Sequence, residues 1–503
     1  MRGGLLASIV LLGACTGGGG GGGDADPIEW GRFRHDNANS GLAVGTVGDS
    51  RGDVKALLQL DAAGYGVTSS TPIIGPDGII YLGTARGLLA FNKSGEVQWL
   101  FECFHRAASP NDICNQDDPC DPANGDIVVG AISSSPAITI EEDIVFGADN
   151  GVVFALRDLG KTFTCKWAYA TSAAAPVPVL SSPALLIDPT DRSLLTAYVA
   201  TGSGYLQALN GDGTEQWRFP RTADALGALS ASPAVATDGT IVFTSPDGFV
   251  QALSPGGQLR SRVPVDASQQ GADRLPSPAL GASVYSIGAV VRCERSDAAC
   301  TSDSDCPEDR CITKGQMTAV NPDGTVKWRY RGQTPDAPAK PILGSPAYVL
   351  QTVIEDDVID GGTTNVIDTI VYVVDDSGTV YGVRDTTGEL FVFRDSDDNA
   401  IKKPALLRLM ANGVSTSPVL SSDVYIVFAS DDGYVYAVQV NTDVTETRPC
   451  WDCSDAQWET LQPDGGGRVK VSSSPIRSSP IIDDDGTIYV TADDGVLYAI
   501  GTQ

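Results

Sequence analysis

Cysteine is the residue type with the widest choice of chemistry in this 503-residue sequence, because it can form disulfides, bind metals or act as a nucleophile. The chain holds 11 cysteines but only two histidines, His35 and His105. Hydrolysis through a serine–histidine or cysteine–histidine couple is therefore poorly supported. Cys15 stands alone near the N-terminus. The other ten cysteines form three groups: Cys103, Cys114, Cys120 and Cys165; Cys293, Cys300, Cys306 and Cys311; Cys450 and Cys453.

The N-terminus combines Arg2, an apolar run from Leu5 to Leu12, and small residues before Cys15. The run is shorter than the ~20 apolar residues that span a bilayer, so it predicts a secretory signal at residues 1–14. Residues 12–15, Leu-Gly-Ala-Cys, resemble the bacterial lipobox, in which the cysteine becomes lipid-modified. We therefore predict lipidation of Cys15 and a glycine-rich tether over residues 15–29. The alternative is an ordinary signal peptide in which Cys15 has no role.

An even number of cysteines in an exported chain predicts disulfides, with the connectivity left open. A zinc site would need thiolates, and export to an oxidising compartment argues against it. Cys450-Trp-Asp-Cys453 has the spacing of a redox pair but lacks a thioredoxin-like setting, so we expect a structural disulfide there as well.

One stretch has oxygen-bearing side chains at the spacing of a calcium loop, namely Asp395, Asp397 and Asn399. Ala400 stands where an EF-hand has glycine, and Leu406 stands where it has the bidentate glutamate. An EF-hand is therefore implausible, and a looser calcium site stays open. We expect no other cofactor.

A repeated unit must position these residues. Proline after serine or threonine opens a short apolar strand at eight places, which are Pro72, Pro136, Pro183, Pro233, Pro278, Pro346, Pro418 and Pro480. Each is followed by further short strands bounded by Gly, Asp, Asn or Pro, as in Ile79–Gly83 and Leu88–Phe91. A four-stranded sheet of this kind cannot bury both faces alone, so copies must stack. The sequence predicts an all-β, eight-bladed propeller of four-stranded antiparallel blades over residues 30–503, with cysteine-rich loop insertions.

The last unit ends at Gln503 without a fourth strand, and Val54–Leu60 is a strand without a blade. Because an open edge exposes unpaired backbone groups, we predict that this N-terminal strand joins the last blade and closes the ring. Insertions are expected as loops, among them Arg292–Lys314, Glu355–Asp368 and Asn441–Arg468.

Tryptophan recurs at one place in the repeat, as Trp99, Trp167, Trp217 and Trp328. An aromatic ring could stack on a quinone, but recurrence once per unit favours docking between neighbouring blades. Blades four, six and seven carry Ser261, Val392 and Val471 at the place that we assign to this residue. The strand-opening hydroxyls, such as Ser134, could ring a channel mouth, although bonds to local backbone are the simpler expectation.

The segments Ala90–Trp99, Ala208–Trp217 and Ala319–Trp328 resemble the docking motif of pyrroloquinoline-quinone-type propeller repeats. Trp30–Gly41 is similar to the segment before the first blade in that family. The resemblance implies the propeller fold. It also implies either a quinone-dependent dehydrogenase or a non-catalytic scaffold lipoprotein of the branch that serves barrel assembly in the outer membrane. Dehydrogenases of the family clamp the cofactor with two adjacent cysteines, and this sequence has no adjacent pair.

The net charge of the chain limits the classes of partner that it can bind. With 63 acidic and 34 basic residues the net charge is −29, which repels nucleic acid and anionic lipid headgroups. We expect a non-enzymatic monomer in the cell envelope, held at the outer membrane by lipid alone, that binds an envelope protein or a surface ligand. A quinone-dependent dehydrogenase and a glycan-binding surface protein are the alternatives.

Overall fold

The computed structural model describes residues 33–47, 52–105, 126–139, 141–172, 176–187, 195–222, 224–265, 276–293, 300, 302–306, 310–330, 341–356, 363–390, 407–408, 413–423, 425–439, 459–460 and 466–501. Several predicted features lie outside these residues: Cys15 and the tether, Cys114, Cys120, Cys450, Cys453, and the calcium-like stretch Asp395–Asn399.

Eight antiparallel sheets form the blades of a propeller, as the repeat predicts. The N-terminal strand is β1 (Asp53–Gln59). Blade one is β2 (Ile73–Ile74), β3 (Ile79–Gly83), β4 (Leu88–Asn92) and β5 (Val97–Phe101), followed by a two-stranded arm of β6 (Cys103–His105) and β7 (Asp126–Val128). Blade two is β8 (Ala137–Ile138), β9 (Asp143–Gly147), β10 (Val152–Asp158) and β11 (Phe163–Ala170). Blade three is β12 (Ala184–Ile187), β13 (Leu195–Ala200), β14 (Leu206–Asn210) and β15 (Glu215–Phe219). Blade four is β16 (Ala234–Val235), β17 (Ile241–Ser245), β18 (Phe249–Leu253) and β19 (Leu259–Pro264).

The second half of the ring repeats the pattern with longer hairpins. Blade five is β20 (Ala279–Leu280), β21 (Val284–Cys293), β22 (Cys311–Val320) and β23 (Val326–Tyr330). Blade six is β24 (Ala347–Asp356), β25 (Thr363–Val374), β26 (Thr379–Arg384) and β27 (Leu407–Arg408). Blade seven is β28 (Val419–Leu420), β29 (Tyr425–Ala429), β30 (Tyr434–Gln439), β31 (Glu459–Thr460) and β32 (Gly466–Lys470). Blade eight is β33 (Ile481–Ile482), β34 (Ile488–Ala492), β35 (Val496–Gly501) and β1. The described residues also contain one 3₁₀ turn, Asp303–Asp305.

Ring closure by the N-terminal strand is confirmed. β1 lies antiparallel to β35, with Asp53 opposite Gly501 and Gln59 opposite Val496. The order of blade eight is therefore β1, β35, β34, β33, so its outer strand comes from the other end of the chain. Leu57 is buried in the same apolar cluster as Leu497. The sheet that closes the ring thus joins residues more than 400 positions apart in sequence, such as Val54 and Ile500.

Three predicted loops turn out to contain strand. Blade seven has five strands because β31 forms inside the predicted loop Asn441–Arg468 and pairs with β32. In blade five, β21 and β22 continue to Cys293 and Cys311. In blade six, β24 and β25 continue to Asp356 and Thr363, within the predicted acidic loop Glu355–Asp368. Antiparallel hairpins can grow outward from a blade where β-branched residues continue the pairing, as Thr363, Thr364 and Val366 do.

The first strand of each blade lies nearest the axis, where β12 contacts β16 and β16 contacts β20. The serine or threonine before each strand-opening proline ties these strands together. Its hydroxyl accepts the backbone N–H of its counterpart in the preceding blade, at 2.9 to 3.0 Å. We call these hydroxyls the serine seam: Ser135, Ser182, Ser232, Ser277, Ser345, Ser417 and Ser479.

In blades two, three and seven the hydroxyl one position earlier serves its own blade. Ser134 Oγ donates to Gly147 O at 2.7 Å and accepts from Gly147 N at 3.0 Å. Ser181 and Thr416 make the same pair of bonds with Ala200 and Ala429. Two successive hydroxyls therefore do different work, since one fixes the strand within its blade and the next joins neighbouring blades.

We expect Ser182→Ala to lower the free energy of unfolding by about 1–3 kcal/mol, because the buried N–H of Ser135 loses its acceptor. Chemical denaturation of the variant and the parent measures the difference. Ser304, which is exposed and bonded to Ser302, provides the control. A loss no larger than that of Ser304→Ala would show that the seam contributes nothing.

Candidate functional site

The axis of the propeller is occupied by residues 33–47, which we call the plug. Its backbone carbonyls accept N–H groups from the first strands of successive blades. Asn37 O accepts from Val235 N at 2.6 Å, Ala38 O from Leu280 N at 2.7 Å, and Gly41 O from Leu420 N at 2.7 Å. Ser40 O accepts from Tyr348 N at 3.1 Å, so the plug contacts blades four to seven in chain order.

Two buried side chains of the plug reach the carbonyl groups of the strand-opening prolines. The Arg34 guanidinium donates to Pro418 O at 2.7 Å and to Pro346 O. The Asn39 amide donates to Pro278 O at 2.9 Å. Burial lowers the pKa of Arg34 to about 9, with Asp36 acting in the opposite direction. A desolvated cation is tolerated here because carbonyl groups solvate it. The chain itself thus lies along the inner strands of blades five to seven, on the side that faces the axis.

The plug also distinguishes the two faces of the ring. Val47 N donates to Asp423 Oδ1 at 3.1 Å, in the loop between the first and second strands of blade seven. Gly45 lies against Asp483 O in the equivalent loop of blade eight, where a Cβ on Gly45 would be only 1.7 Å from that oxygen. We name the face with these loops the entry face. Because strands alternate in direction, the loops between second and third strands and the connections between blades lie on the opposite face.

The four repeated tryptophans contact the next blade. The indole Nε1 groups of Trp167, Trp217 and Trp328 donate to Gly211 O, Pro255 O and Asp385 O at 2.8 to 2.9 Å. Trp99 Nε1 donates to Asp158 Oδ1 at 3.0 Å.

Three of these indole rings each pack against a glycine at positive φ in the next blade. A Cβ at Gly213, Gly257 or Gly388 would lie 2.5 to 2.7 Å from the indole. In blade four, Ser261 occupies the tryptophan position opposite Ala252. In blade seven, Ala437 pairs with Gly467, so the assignment of Val471 to this position was wrong. Val392 lies outside the described residues.

Two interlaced disulfides hold the long hairpin of blade five. Cys293 and Cys311 face each other in the strand register, yet Cys293 is bonded to Cys306 and Cys300 to Cys311. The sulfur atoms of Cys293, Cys300 and Cys306 lie within 4.8 Å of one another, and within the described residues this is the one such cluster of potential metal ligands. The bonded cysteines leave no thiolate to bind zinc. Cys103 and Cys165 are disulfide-bonded as well.

A buried carboxyl lies directly beneath the plug. Asp483 accepts from Thr487 N at 2.9 Å and from Tyr489 Oη at 3.1 Å. Burial, and then the neighbouring Asp485, raise the pKa of Asp483 to about 8, although Lys93 lies 3.4 Å away. The Asp485 pKa is lowered to about 2, chiefly because it accepts a hydrogen bond from Asp483. The pair therefore holds one proton between two carboxyl groups.

A pH dependence of stability follows from Asp483. Its folded pKa of about 8 exceeds the unfolded value of about 4, so its contribution is complete below pH 4 and is lost as the pH rises toward 8. We expect Asp483→Asn to weaken this loss, so that the variant melts a few degrees above the parent at pH 8 but not at pH 4. Thermal melts at both pH values measure it. An identical difference at both would exclude Asp483 as the cause.

The opposite face carries an open cleft of about 600 Å³ between blades eight and one. It is formed by the connection of residues 61–66, the turn Ala85–Arg86, and Glu102, Val128 and Gly130 at the base of the arm. Arg86 and Glu102 form an ion pair across it. Asp61, Arg86 and Val128 are exposed, whereas Glu102 is partly buried. No sequence motif marks this site, because its walls come from three segments that are separate in sequence.

A comparison with known protein families supports the repeat that we identified in the sequence. Residues 170–288, which span blades three and four and the start of blade five, match the family model described as outer membrane protein assembly factor BamB. These blades therefore carry the pyrroloquinoline-quinone-type repeat, and the resemblance predicted from the sequence is confirmed there. No curated protein matches the chain.

Two solved structures are similar to the chain over most of their length. BamB from Moraxella catarrhalis is 16% identical and has a TM-score of 0.47, with 90% of this chain and 98% of that chain covered. Sqt1 from Saccharomyces cerevisiae is 10% identical and has a TM-score of 0.49, with 90% and 97% covered. The assignment of the fold rests on the sheet order and on the closure of blade eight.

Proposed function

We propose that this protein is a non-catalytic scaffold of the cell envelope, anchored by lipid to the outer membrane, that binds a protein partner as a monomer. The observation that carries the proposal is the plug. Arg34 and Asn39 occupy the axis and bond to carbonyl groups of the strand-opening prolines, so binding is left to the faces and the projecting hairpins. A rigid ring with two broad faces suits the docking of another protein.

The quinone-dependent dehydrogenase is disfavoured by particular residues. The sequence has no adjacent cysteines and no Cys-x-x-Cys-His haem site, since Ser454 follows Cys453. The tryptophans that could stack on a quinone are engaged with neighbouring blades. Adding the quinone with calcium should therefore leave the melting temperature unchanged and produce no alcohol- or sugar-dependent dye reduction. A rise in melting temperature would count against the proposal, because binding to the native state must stabilise it.

The anchor is proposed at Cys15. Among the described residues, no helix is long and apolar enough to cross a membrane. We expect mass spectrometry of the mature N-terminus to find an acylated cysteine, and Cys15→Ser to move the protein from the membrane fraction to the soluble fraction. If the serine variant stays equally membrane-bound, lipidation is not the anchor.

A glycan-binding surface protein is the second candidate. The observation in its favour is the cleft, where Tyr65 lies beside Asp61, Arg86 and Glu102. Rings beside hydrogen-bonding side chains are able to hold sugars.

Crosslinking of the anchored protein in its own membranes, followed by purification and mass spectrometry, separates the two candidates. If the protein is a scaffold, we expect one or more envelope proteins to be recovered only when the crosslinker is present. The same proteins should be recovered when residues Trp30 to Gln503 are expressed behind a foreign lipid signal. Recovery of carbohydrate without protein would support the second candidate and overturn the first.

A further inference from the structure

We propose that the cleft between blades eight and one is the docking site for the partner, and that it takes a protein segment presenting a carboxylate to Arg86 and a cationic side chain to Asp61. This inference rests on the proposed function, and it names the surface and the chemistry that the partner must have.

The walls of the cleft are formed by the connection into blade one and by the arm of that blade. Its first wall, residues 61–66, follows the closing strand β1 and is held by Tyr65 N donating to Leu60 O at 2.8 Å. This wall is tied to blade one where Ala85 N donates to Gly66 O at 3.4 Å. The second wall is the base of the arm, where Val129 N donates to Glu102 O at 2.9 Å. The walls are thus fixed by backbone bonds, which pre-organises the site for binding.

The charges on the cleft are exposed and of both signs. Arg86 keeps 48% of its side chain exposed while it pairs with Glu102, which is 22% exposed. Such an exposed pair contributes little to folding, so it can be exchanged for partner charges without destabilising the ring. Asp61 is exposed on the facing wall. In a protein of net charge −29, an exposed arginine in a cleft that Asp61 also lines selects a segment that carries both charges over one that is simply basic.

The shape favours a protein segment over a small ligand. Small-molecule sites enclose most of the ligand within largely apolar walls. Here Asp61, Gly64, Arg86 and Val128 are all exposed, so a small ligand would remain largely in water. Val128, 49% exposed at the rim, offers apolar contact to a segment that lies across the opening. A covering chain would desolvate the charges and Val128 together, which is how interface anchors gain their energy.

The position of the plug leaves this face free. The end of the plug at Gly45 and Val47 contacts the loops of the entry face. The cleft lies on the opposite face, together with the arm and the disulfide-bonded hairpin of blade five.

Photo-crosslinking tests the proposal in the full-length anchored protein. A photoreactive amino acid replaces Val128, and in a matched control it replaces Leu259, which is 47% exposed on the outer strand of blade four. We expect a protein adduct from position 128 and little from position 259. Adding Arg86→Glu should reduce the adduct at least about tenfold. Reversing the acidic residue of the crosslinked partner segment to lysine should restore it.

Each other result has a defined meaning. Equal adducts at both positions, an adduct that Arg86→Glu leaves unchanged, or a carbohydrate adduct at position 128 would overturn the cleft as the docking site. No adduct at position 128 while chemical crosslinking still recovers a protein partner would overturn the cleft but leave the scaffold function intact. Failure of both methods to recover any protein would overturn the scaffold function and the docking site with it.

Discussion

Replacing Asp53–Gln59 by a seven-residue Gly/Ser linker is expected to reduce the free energy of unfolding by more than about 4 kcal/mol. The linker preserves the chain path from the plug to blade one but removes the outer strand of blade eight. β35 would then present an unpaired edge, and Leu57 would leave the apolar cluster that it shares with Leu497. Denaturant unfolding of the folded fraction measures the loss, and limited proteolysis should cut first in blade eight.

The control replaces residues 24–29, which precede the predicted propeller, by the same kind of linker. We expect that variant to unfold with the parent. If the β1 replacement also leaves the midpoint unchanged, then three strands suffice for blade eight, and closure by the N-terminus is not what holds the ring.

Arg34→Met is expected to lose about 3 to 5 kcal/mol of unfolding free energy. Methionine fills similar volume but cannot donate to Pro346 O and Pro418 O, so two buried carbonyl groups lose a charged partner. Arg34→Lys should lose less than methionine but more than half of the effect, because an ammonium cannot fork between two carbonyl groups as a guanidinium does. Chemical denaturation and the rate of proteolysis within the plug measure both variants.

Arg260 is the matched control, since it is an exposed arginine in an ion pair with Asp238 at 3.0 Å. Its methionine variant should change the stability by less than about 1 kcal/mol. Equal losses at Arg34 and Arg260 would mean that the plug rests on the ring without holding it.

The architecture could be predicted from the sequence because its signals repeat. Each strand-opening proline is followed at once by the first strand of a blade, from Ile73 in blade one to Ile481 in blade eight. The closing strand could be predicted because the last repeat unit lacked a fourth strand and the strand before the first unit belonged to no blade. Both arguments need only local turn chemistry and the rule that sheet edges are paired.

The plug could not be predicted in the same way. Residues 33–47 have no apolar periodicity. Their side chains bond to carbonyl groups that lie 194 to 384 positions away in sequence, as with Asn39 and Pro233 or Arg34 and Pro418. A buried arginine in a stretch of Gly, Asp and Asn has the composition of a solvated loop. Only the closed ring provides the acceptors that make this segment stable.

The paired hydroxyls before the strand-opening prolines show what residue type alone cannot predict. Both hydroxyls of each pair bond to backbone groups, as the simpler expectation has it, but the two bond to different blades. Ser134 bonds to its own blade, whereas Ser135 joins blade two to blade one, although the two residues are adjacent and identical. Residue type alone cannot separate them, because alternate side chains of an extended segment point to opposite sides.

The cleft illustrates why a binding surface is harder to find than a fold. Asp61, Arg86, Glu102 and Val128 are ordinary surface residues in sequence, and no repeat marks them. They become one site because closure brings residues 61–66 against the turn and the arm of blade one. The residues that line it are not part of the repeated motif, so the repeat pattern hides the site.

Amide hydrogen exchange on the intact protein tests most directly the claim that the chain itself closes the axis. The amides of Val235, Leu280 and Leu420 donate to the plug, and Ala43 N of the plug donates to Leu420 O at 2.6 Å. We expect these four amides to exchange as slowly as those of the inner strands of the blades, and all four to become fast together in Arg34→Met. Exchange at the rate of exposed loops in the parent protein would contradict it, and the axis would then be open to a ligand.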